Sequence, residues 1–136
     1  MKQARLLLIV IGMIFAVPAL AQNKIDNLVD NYSSISTSKY TSAVERNPKT
    51  RAVMKVVKVL ELSYANIQPF VEAFKAEANH GDFCERKDGD ALILTLACRG
   101  AKNNRIYMLK ADDYYRYGGR HANRTACNIT IIVKYK

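Results

Sequence analysis

The chain has 136 residues, with 21 lysine and arginine residues against 12 aspartate and glutamate residues and a formal net charge of +9. This length suits one domain with a hydrophobic core and argues against a multidomain architecture. No block of five or six like charges occurs, which argues against a basic tail. The charge therefore fits either an acidic partner or a dispersed, solubilising surface.

The N-terminus has the organisation of a secretory signal. A short basic start precedes an apolar run from Leu6 to Val17, Pro18 ends the run, and the motif ALA closes at Ala21. The run is shorter than the roughly 20 apolar residues of a transmembrane helix. We predict a signal peptide over residues 1–21, cleaved after Ala21. The mature protein is then a single domain over residues 22–136 without a transmembrane segment.

The first half of the mature chain predicts a helix and a hairpin. Asn23 followed by Asp26 is typical of a helix start, and apolar residues at helical spacing predict a helix from about Lys24 to Ser34. Tyr40–Arg46 is predicted as an edge strand, with the turn NPKT after it. Arg51–Tyr64 has apolar residues at helical spacing but is rich in valine, so helix and strand both stay open. We favour a strand that completes the hairpin.

The second half predicts one helix and then strands. Asn66–Asn79 carries a single apolar stripe after a first-turn proline and is predicted as a helix. Four strands follow, the first two of them around the hairpin signal Asp88-Gly89: Asp82–Lys87, Ala91–Arg99, Arg105–Ala111 and Cys127–Tyr135. The order α-β-β-α-β-β-β-β predicts an α+β domain, in which a mostly antiparallel sheet of five or six strands carries two helices on one face.

Three cysteines occur, an odd number for an exported chain in which disulfides are expected. Side chains alternate across a strand, and this parity places Cys98 and Cys127 on the apolar face and Cys84 on the other. We predict a Cys98–Cys127 disulfide, or two buried thiols at those positions, with Cys84 left as a free thiol. An irregular strand would break this parity.

Patterns of catalysis and metal binding are weak. His80 and His121 are the two histidines, and a Cys–His nucleophile pair needs one of them beside an activated thiol. The paired spacing of a zinc site and the spaced acidic ligands of a calcium loop are missing. We therefore expect no enzymatic activity, no metal and no cofactor.

The stretch Asp112–Ala126 is predicted to be a loop of roughly 15 residues, which is long for a compact domain. Tyrosine, arginine and histidine supply large contact areas and directional donors for recognition. The candidate ligand-binding residues are Tyr114, Tyr115, Arg116, Tyr117, Arg120 and His121. In the alternative interpretation, one or two of these tyrosines pack on the sheet and the loop is only a connector.

The span from Tyr40 to Leu62, YTSAVERNPKTRAVMKVVKVLEL, resembles the strand, N-P-K-T turn and strand of small exported proteins of unknown function from the Bacteroidetes. The signal peptide, the chain length and the following helix also fit such proteins. The resemblance implies a bacterial periplasmic or surface-associated protein. It brings no catalytic residues to this chain.

These features predict a small exported binding or structural module, periplasmic or extracellular and without enzymatic activity. It is expected to contact a protein or glycan of the cell envelope through the Asp112–Ala126 loop, and export makes nucleic acid an unexpected partner. One alternative is an inhibitor of a hydrolase that presents this loop. Another is a small cysteine-dependent enzyme that uses Cys84. The ligand and the oligomeric state stay open.

Overall fold

The computed structural model describes residues 23–35, 38–116 and 124–136. The predicted signal peptide lies outside them. The elements of the described residues are, in chain order, α1 (Lys24–Ser33), β1 (Ser38–Arg46), β2 (Val53–Asn66), α2 (Gln68–Glu77), a 3-10 turn (Ala78–His80), β3 (Asp82–Asp88), β4 (Ala91–Arg99), β5 (Asn103–Ala111) and β6 (Arg124–Tyr135). Within these ranges, no helix has the length and apolarity to cross a membrane.

The described strands form one sheet in the order β1-β2-β6-β5-β4-β3. Every neighbouring pair is antiparallel. After β2 the chain passes through α2 and resumes at the opposite edge with β3, and it then returns strand by strand until β6 lies beside β2. In the described sheet, β1 and β3 are therefore the edges.

The predicted fold class, α+β in the order α-β-β-α-β-β-β-β, is wrong. Strands make up 57% of the described residues, the sheet is wholly antiparallel, and a 3-10 turn stands between the second helix and the third strand. The apolar stripe of the predicted helix continues beyond Glu77, but the last turn tightens into the 3-10 turn. β2 and β6 extend further than predicted because Asn66 pairs with Arg124 beyond an irregularity in β2. The fold is a sheet with two short helices.

The valine-rich segment whose structure stayed open is the strand β2. It is an inner strand with a partner on each side, so that Val56 lies opposite Val44 of β1 and opposite Val133 of β6. β-branched side chains fit such a pleated surface well. This cross-strand packing outweighs the helical spacing of its apolar residues.

The core lies between one face of the sheet, which we call the inner face, and the two helices. Alternate residues of the central strands are almost fully buried: Leu60, Leu94, Leu96, Leu109, Ile129 and Ile131. α1 adds Ile25 and Val29, and α2 adds Phe70 and Phe74. Tyr32 packs edge to face on Phe70, with ring centroids 4.8 Å apart. Burial of these side chains is the main driving force for the fold.

Candidate functional site

The sheet has a second face, which we call the outer face, and no helix of the described residues covers it. Side chains alternate along a strand, so the residues between the buried ones point to this face. The strand register aligns them in two central rows across the sheet. From β1 to β3, the first row contains Thr41, Val59, Thr130, Met108, Thr95 and Cys84, and the second contains Ala43, Val57, Ile132, Ile106, Ala97 and Asp82.

The residues of these two rows are all partly or fully exposed. Met108 is 37% exposed, whereas Leu109, the next residue of β5, is 1% exposed. Five strand spacings of about 4.8 Å give the rows a length of about 24 Å. The rows are mainly apolar, with three threonines and Asp82 among them. A largely apolar, partly exposed surface of this extent is typical of a contact site.

Basic side chains border the central rows on both sides. One row further out on each side, the register places three basic residues: Lys39, Arg86 and Lys110 on one side, and Lys55, Arg99 and Lys134 on the other. Glu61 and Glu45 are the acidic residues of these two rows. The outer face therefore has an apolar centre between two basic rims, which lie six residues apart along β5, or about 20 Å.

The four rows of the outer face, all within the described strands, contain no aromatic residue. Aromatic rings anchor proteins in membrane interfaces, and they are also the platforms on which sugar rings stack. The outer face instead offers branched aliphatic side chains, threonines and cations. Chemically, it is complementary to an apolar protein surface with acidic flanks.

Two of the predicted loop residues are part of the packing. Tyr114 is 6% exposed and belongs to the core. Tyr115 is half-buried and packs edge to face on Tyr114, with ring centroids 5.0 Å apart. Lys87 Nζ lies 5.0 Å from the centre of the Tyr115 ring. The Tyr115 amide donates to the Asp90 carbonyl at 2.9 Å. Arg116 is exposed. The two tyrosines thus hold the loop against the β3–β4 hairpin.

Hydrogen bonds also close the base of the loop. The Asp112 amide donates to the Ala126 carbonyl at 3.0 Å, and the Asp113 amide donates to Thr125 Oγ1 at 2.9 Å. Three further predicted ligand-binding residues lie outside the described residues: Tyr117, Arg120 and His121. The described part of the loop therefore has the contacts of an anchored connector.

The cysteines occupy both faces of the sheet. Cys127 is buried on the inner face, Cys98 packs partly buried against the same core, and Cys84 is exposed on the outer face; all three are free thiols. Burial raises the pKa of Cys127 to about 12. Burial, assisted by the Glu77 carboxylate, also raises the pKa of Cys98. At neutral pH both inner thiols stay protonated, which makes them poor nucleophiles.

The predicted Cys98–Cys127 disulfide does not fit the register of the sheet. Cys98 lies opposite Arg105 of β5, and Cys127 lies opposite Ala111 of the same strand. The two cysteines are therefore six residues apart along the strands, or about 20 Å, whereas a disulfide needs Cα atoms within about 7 Å. Parity along a strand identifies the face of the sheet but not the position on it. The register is compatible with the alternative of two thiols on the inner face, of which Cys127 is buried and Cys98 is partly buried.

A charged group that the sequence did not predict is buried between α1 and the sheet. Asp26 is 5% exposed, and its Oδ2 accepts hydrogen bonds from Tyr107 Oη at 2.9 Å and from Arg105 Nη1 at 3.0 Å. The same oxygen accepts from the Asn23 amide at 3.1 Å and completes the capping box of α1. Burial raises the pKa of Tyr107, so its hydroxyl remains a donor. The group ties α1 to β5.

A second polar pair lies at the end of α2. The Glu77 carboxylate is 2.6 Å from His80 Nδ1 and also accepts from the Lys24 amide at 3.3 Å. His80 is mostly exposed and pairs with Glu77, and no hydrogen bond of the described residues joins it to Cys84 on the outer face. The Cys84–His80 pair that a cysteine-dependent enzyme would need is not formed.

Neither a metal site nor a similarity to known proteins helps to assign a function to the described residues. The described residues contain no group of three His, Cys, Asp or Glu side chains placed to hold a metal ion. No family model, curated protein or solved structure matches this chain. The outer face is therefore the part of the described structure whose chemistry points to a function.

Proposed function

We propose that this chain is a small exported, non-enzymatic protein-binding module of the bacterial cell envelope, and that it binds its partner on the outer face of the sheet. The observation that carries the proposal is the mainly apolar, partly exposed centre of the outer face between two basic rims. The complementary partner is a protein surface with an apolar stripe and acidic side chains on both flanks. The signal-peptide pattern and the resemblance to small exported Bacteroidetes proteins support the export part of the proposal.

The dimensions of the outer face suit a single protein contact. The area between the rims is about 20 Å by about 24 Å, or roughly 480 Å² in projection. Together with the rims, it approaches the roughly 800 Å² that each partner contributes to a standard interface. One helix of about 16 residues spans the 24 Å length, at 1.5 Å per residue.

The charges of the rims add specificity to this contact. Lys110 and Lys134 are exposed cations beside the apolar centre, and such cations accelerate the encounter with an acidic surface more than they increase its final affinity. Their effect is screened beyond about 8 Å at physiological ionic strength. Binding is therefore expected to weaken as salt is added.

Two other predictions from the sequence, a glycan partner and a binding role of the Asp112–Ala126 loop, have less support from the arrangement of residues. A glycan partner has less support because the four described rows of the outer face contain no aromatic ring; the exposed Tyr64 lies beside Arg124, beyond these rows. A contribution of the Asp112–Ala126 loop, including one as a hydrolase inhibitor, stays a prediction, since its tip lies outside the described residues. The outer face is accordingly the site to test first.

Site-specific photo-crosslinking in the producing cells tests the proposal. A photoreactive amino acid at Thr130, in the middle of the outer face, is expected to yield one discrete protein adduct. The same amino acid at Thr50, an exposed position in the β1–β2 turn, is the control and is expected to yield none. Adducts of equal intensity at both positions, or none at Thr130, would contradict the proposal.

The crosslinked protein is then purified and titrated with the native chain. Lys110→Glu places an acid in a basic rim and is expected to raise Kd at least tenfold, or about 1.4 kcal/mol. Lys75→Glu makes the same charge change on the exposed side of α2 and is expected to leave Kd within about twofold. Equal effects of the two variants would mean that net charge, rather than the outer face, determines binding.

A further inference from the structure

The two edge strands of the described sheet differ in how they are protected. Charged residues occupy most positions of β3: Asp82, Glu85, Arg86, Lys87 and Asp88. In β1 the central residues from Tyr40 to Val44 are uncharged, and neither proline nor glycine interrupts them. Charges, proline and bulges are the usual features that prevent an edge strand from pairing with another chain. The edge formed by β1 is thus open.

The exposed side of β1 also carries unsatisfied pairing capacity. β1 is hydrogen-bonded to β2 along one side only, so every second residue directs its backbone groups away from the sheet. Val44, in the same strand, is 50% exposed. A further strand at this edge would satisfy the backbone groups and cover this side chain.

A second copy of β1 fits this edge in one antiparallel register. The outward-pointing backbone groups of the two copies meet only if odd-numbered residues face odd-numbered ones and even-numbered residues face even-numbered ones. In a symmetric antiparallel pair, this condition puts one residue on the two-fold axis. With Ser42 on that axis, Lys39 faces Glu45 of the second copy and Tyr40 faces its Val44. If the axis is moved by one residue in either direction, Lys39 and Glu45 no longer face each other.

The charges of β2 support the same register. Within one copy, Lys39 lies opposite Glu61 and Glu45 lies opposite Lys55. Pairing about Ser42 therefore creates a row in which the charge alternates across the interface: Glu61, Lys39, then Glu45 and Lys55 of the second copy. Opposite charges directly across a strand pair stabilise the pairing, and the row occurs twice because of the symmetry.

We propose that two copies of this chain form a two-fold dimer by antiparallel pairing of β1 with β1, with Ser42 on the axis. The two six-stranded sheets become one continuous sheet. Their outer faces then lie side by side as one surface. Partners that display two acidic, apolar segments would bind such a surface with increased avidity.

Sedimentation equilibrium of the mature chain over micromolar to millimolar concentrations tests the dimer directly. The native chain is expected to approach twice the monomer mass. Lys39→Glu and Glu45→Lys each put like charges across the interface and are expected to raise the dimer Kd about tenfold. An equimolar mixture of the two variants is expected to dimerise again, because in that pair each acid faces a base.

A matched control separates the edge from net charge. Glu72→Lys and Lys75→Glu make the same charge changes on the exposed side of α2 and are expected to leave the native dimer unchanged, alone or mixed. A monomeric mass at every concentration would overturn the proposal. So would a dimer insensitive to Glu45→Lys, or a failure of the mixed variants to associate.

Cysteine oxidation checks the register independently of the charges. Ser42→Cys, made together with Cys84→Ser, is expected to give a covalent dimer on mild oxidation, because the two thiols lie across the axis. Arg86→Cys in the same background places the thiol on the charged edge β3 and is expected to stay monomeric. Equal dimer formation by the two variants would contradict the register.

Discussion

The inner and outer faces of the sheet are built from the same strands but differ in what covers them. On β5, Leu109 lies under the helices and is 1% exposed, while its neighbour Met108 is 37% exposed on the outer face. Both residues are apolar, and both fit the alternation of a strand. The comparison shows that apolar character alone does not separate a core position from a contact position, since the helices decide which face is closed.

The largest expected effect is the difference between truncations on the two faces. Leu109→Ala removes a fully buried side chain and is expected to lower the free energy of unfolding by about 3 kcal/mol. Met108→Ala is expected to cost less than about 1 kcal/mol, because the outer side chain already contacts water. Urea unfolding of both variants measures the difference. Equal losses would mean that something covers the outer face.

Alkaline pH offers a second way to compare the faces. Burial raises the pKa of Cys127 from 9.0 to about 12, so the unfolded chain loses this proton at lower pH than the folded protein. The contribution of the Cys127 thiol to the free energy of unfolding is fully present below about pH 9 and is lost as the pH rises toward about 12. This single group accounts for about 2 kcal/mol between about pH 8 and about pH 10.5.

Two cysteine variants measure this contribution. Cys127→Ala is expected to flatten the decline of the unfolding free energy with pH by that amount. Cys84→Ala removes a thiol from the exposed outer face, keeps Cys127 and is the matched control. Parallel pH profiles for the native protein and Cys127→Ala would show that the inner thiol is not buried.

Thiol labelling compares the same two positions kinetically. At neutral pH a maleimide is expected to modify Cys84 first, and Cys127 at least tenfold more slowly, because the inner thiol is both buried and protonated. Peptide mapping at successive times measures the two rates. A Cys127 that never reacts, even in denaturant without reductant, would indicate a disulfide and contradict the register of the sheet.

The smallest expected effect concerns two threonines of β6. Thr125 is 2% exposed, and its Oγ1 accepts the Asp113 amide, so Thr125→Val is expected to cost about 1–2 kcal/mol by leaving that amide unpaired. Thr130→Val on the outer face is expected to change stability by no more than about 0.5 kcal/mol. Thermal unfolding of both variants compares them, and a larger loss at Thr130 would reverse the assignment of the faces.

Local patterns predicted much of the secondary structure. The start of α1 at Asn23, the hairpin at Asp88-Gly89 and the alternation in β4 and β6 follow from capping, turn and pleat geometry, which involve only neighbouring residues. The predicted ends were less accurate. The last turn of α2 and the pairing of Asn66 with Arg124 depend on contacts far along the chain.

The candidate site was harder to predict than the elements. The loop rich in tyrosine was singled out because its composition suits recognition, yet Tyr114 and Tyr115 pack against the protein. The outer face left only a weak signal, the apolar residues on both faces of β2 and β6. Asp26 was predicted only as part of the helix start after Asn23, and its burial against Arg105 requires β5 to lie under α1.

The sequence by itself determined which residues can share a face, because the two-residue period of a strand is a local property of the backbone. Only the tertiary structure decided how the strands align and which face the helices cover, because these depend on pairing between distant segments. Parity placed Cys98 and Cys127 on one face, and the register then separated them by about 20 Å. The same register brings Lys39, Lys110 and Arg86 into one rim, a relation that no single segment of the sequence contains.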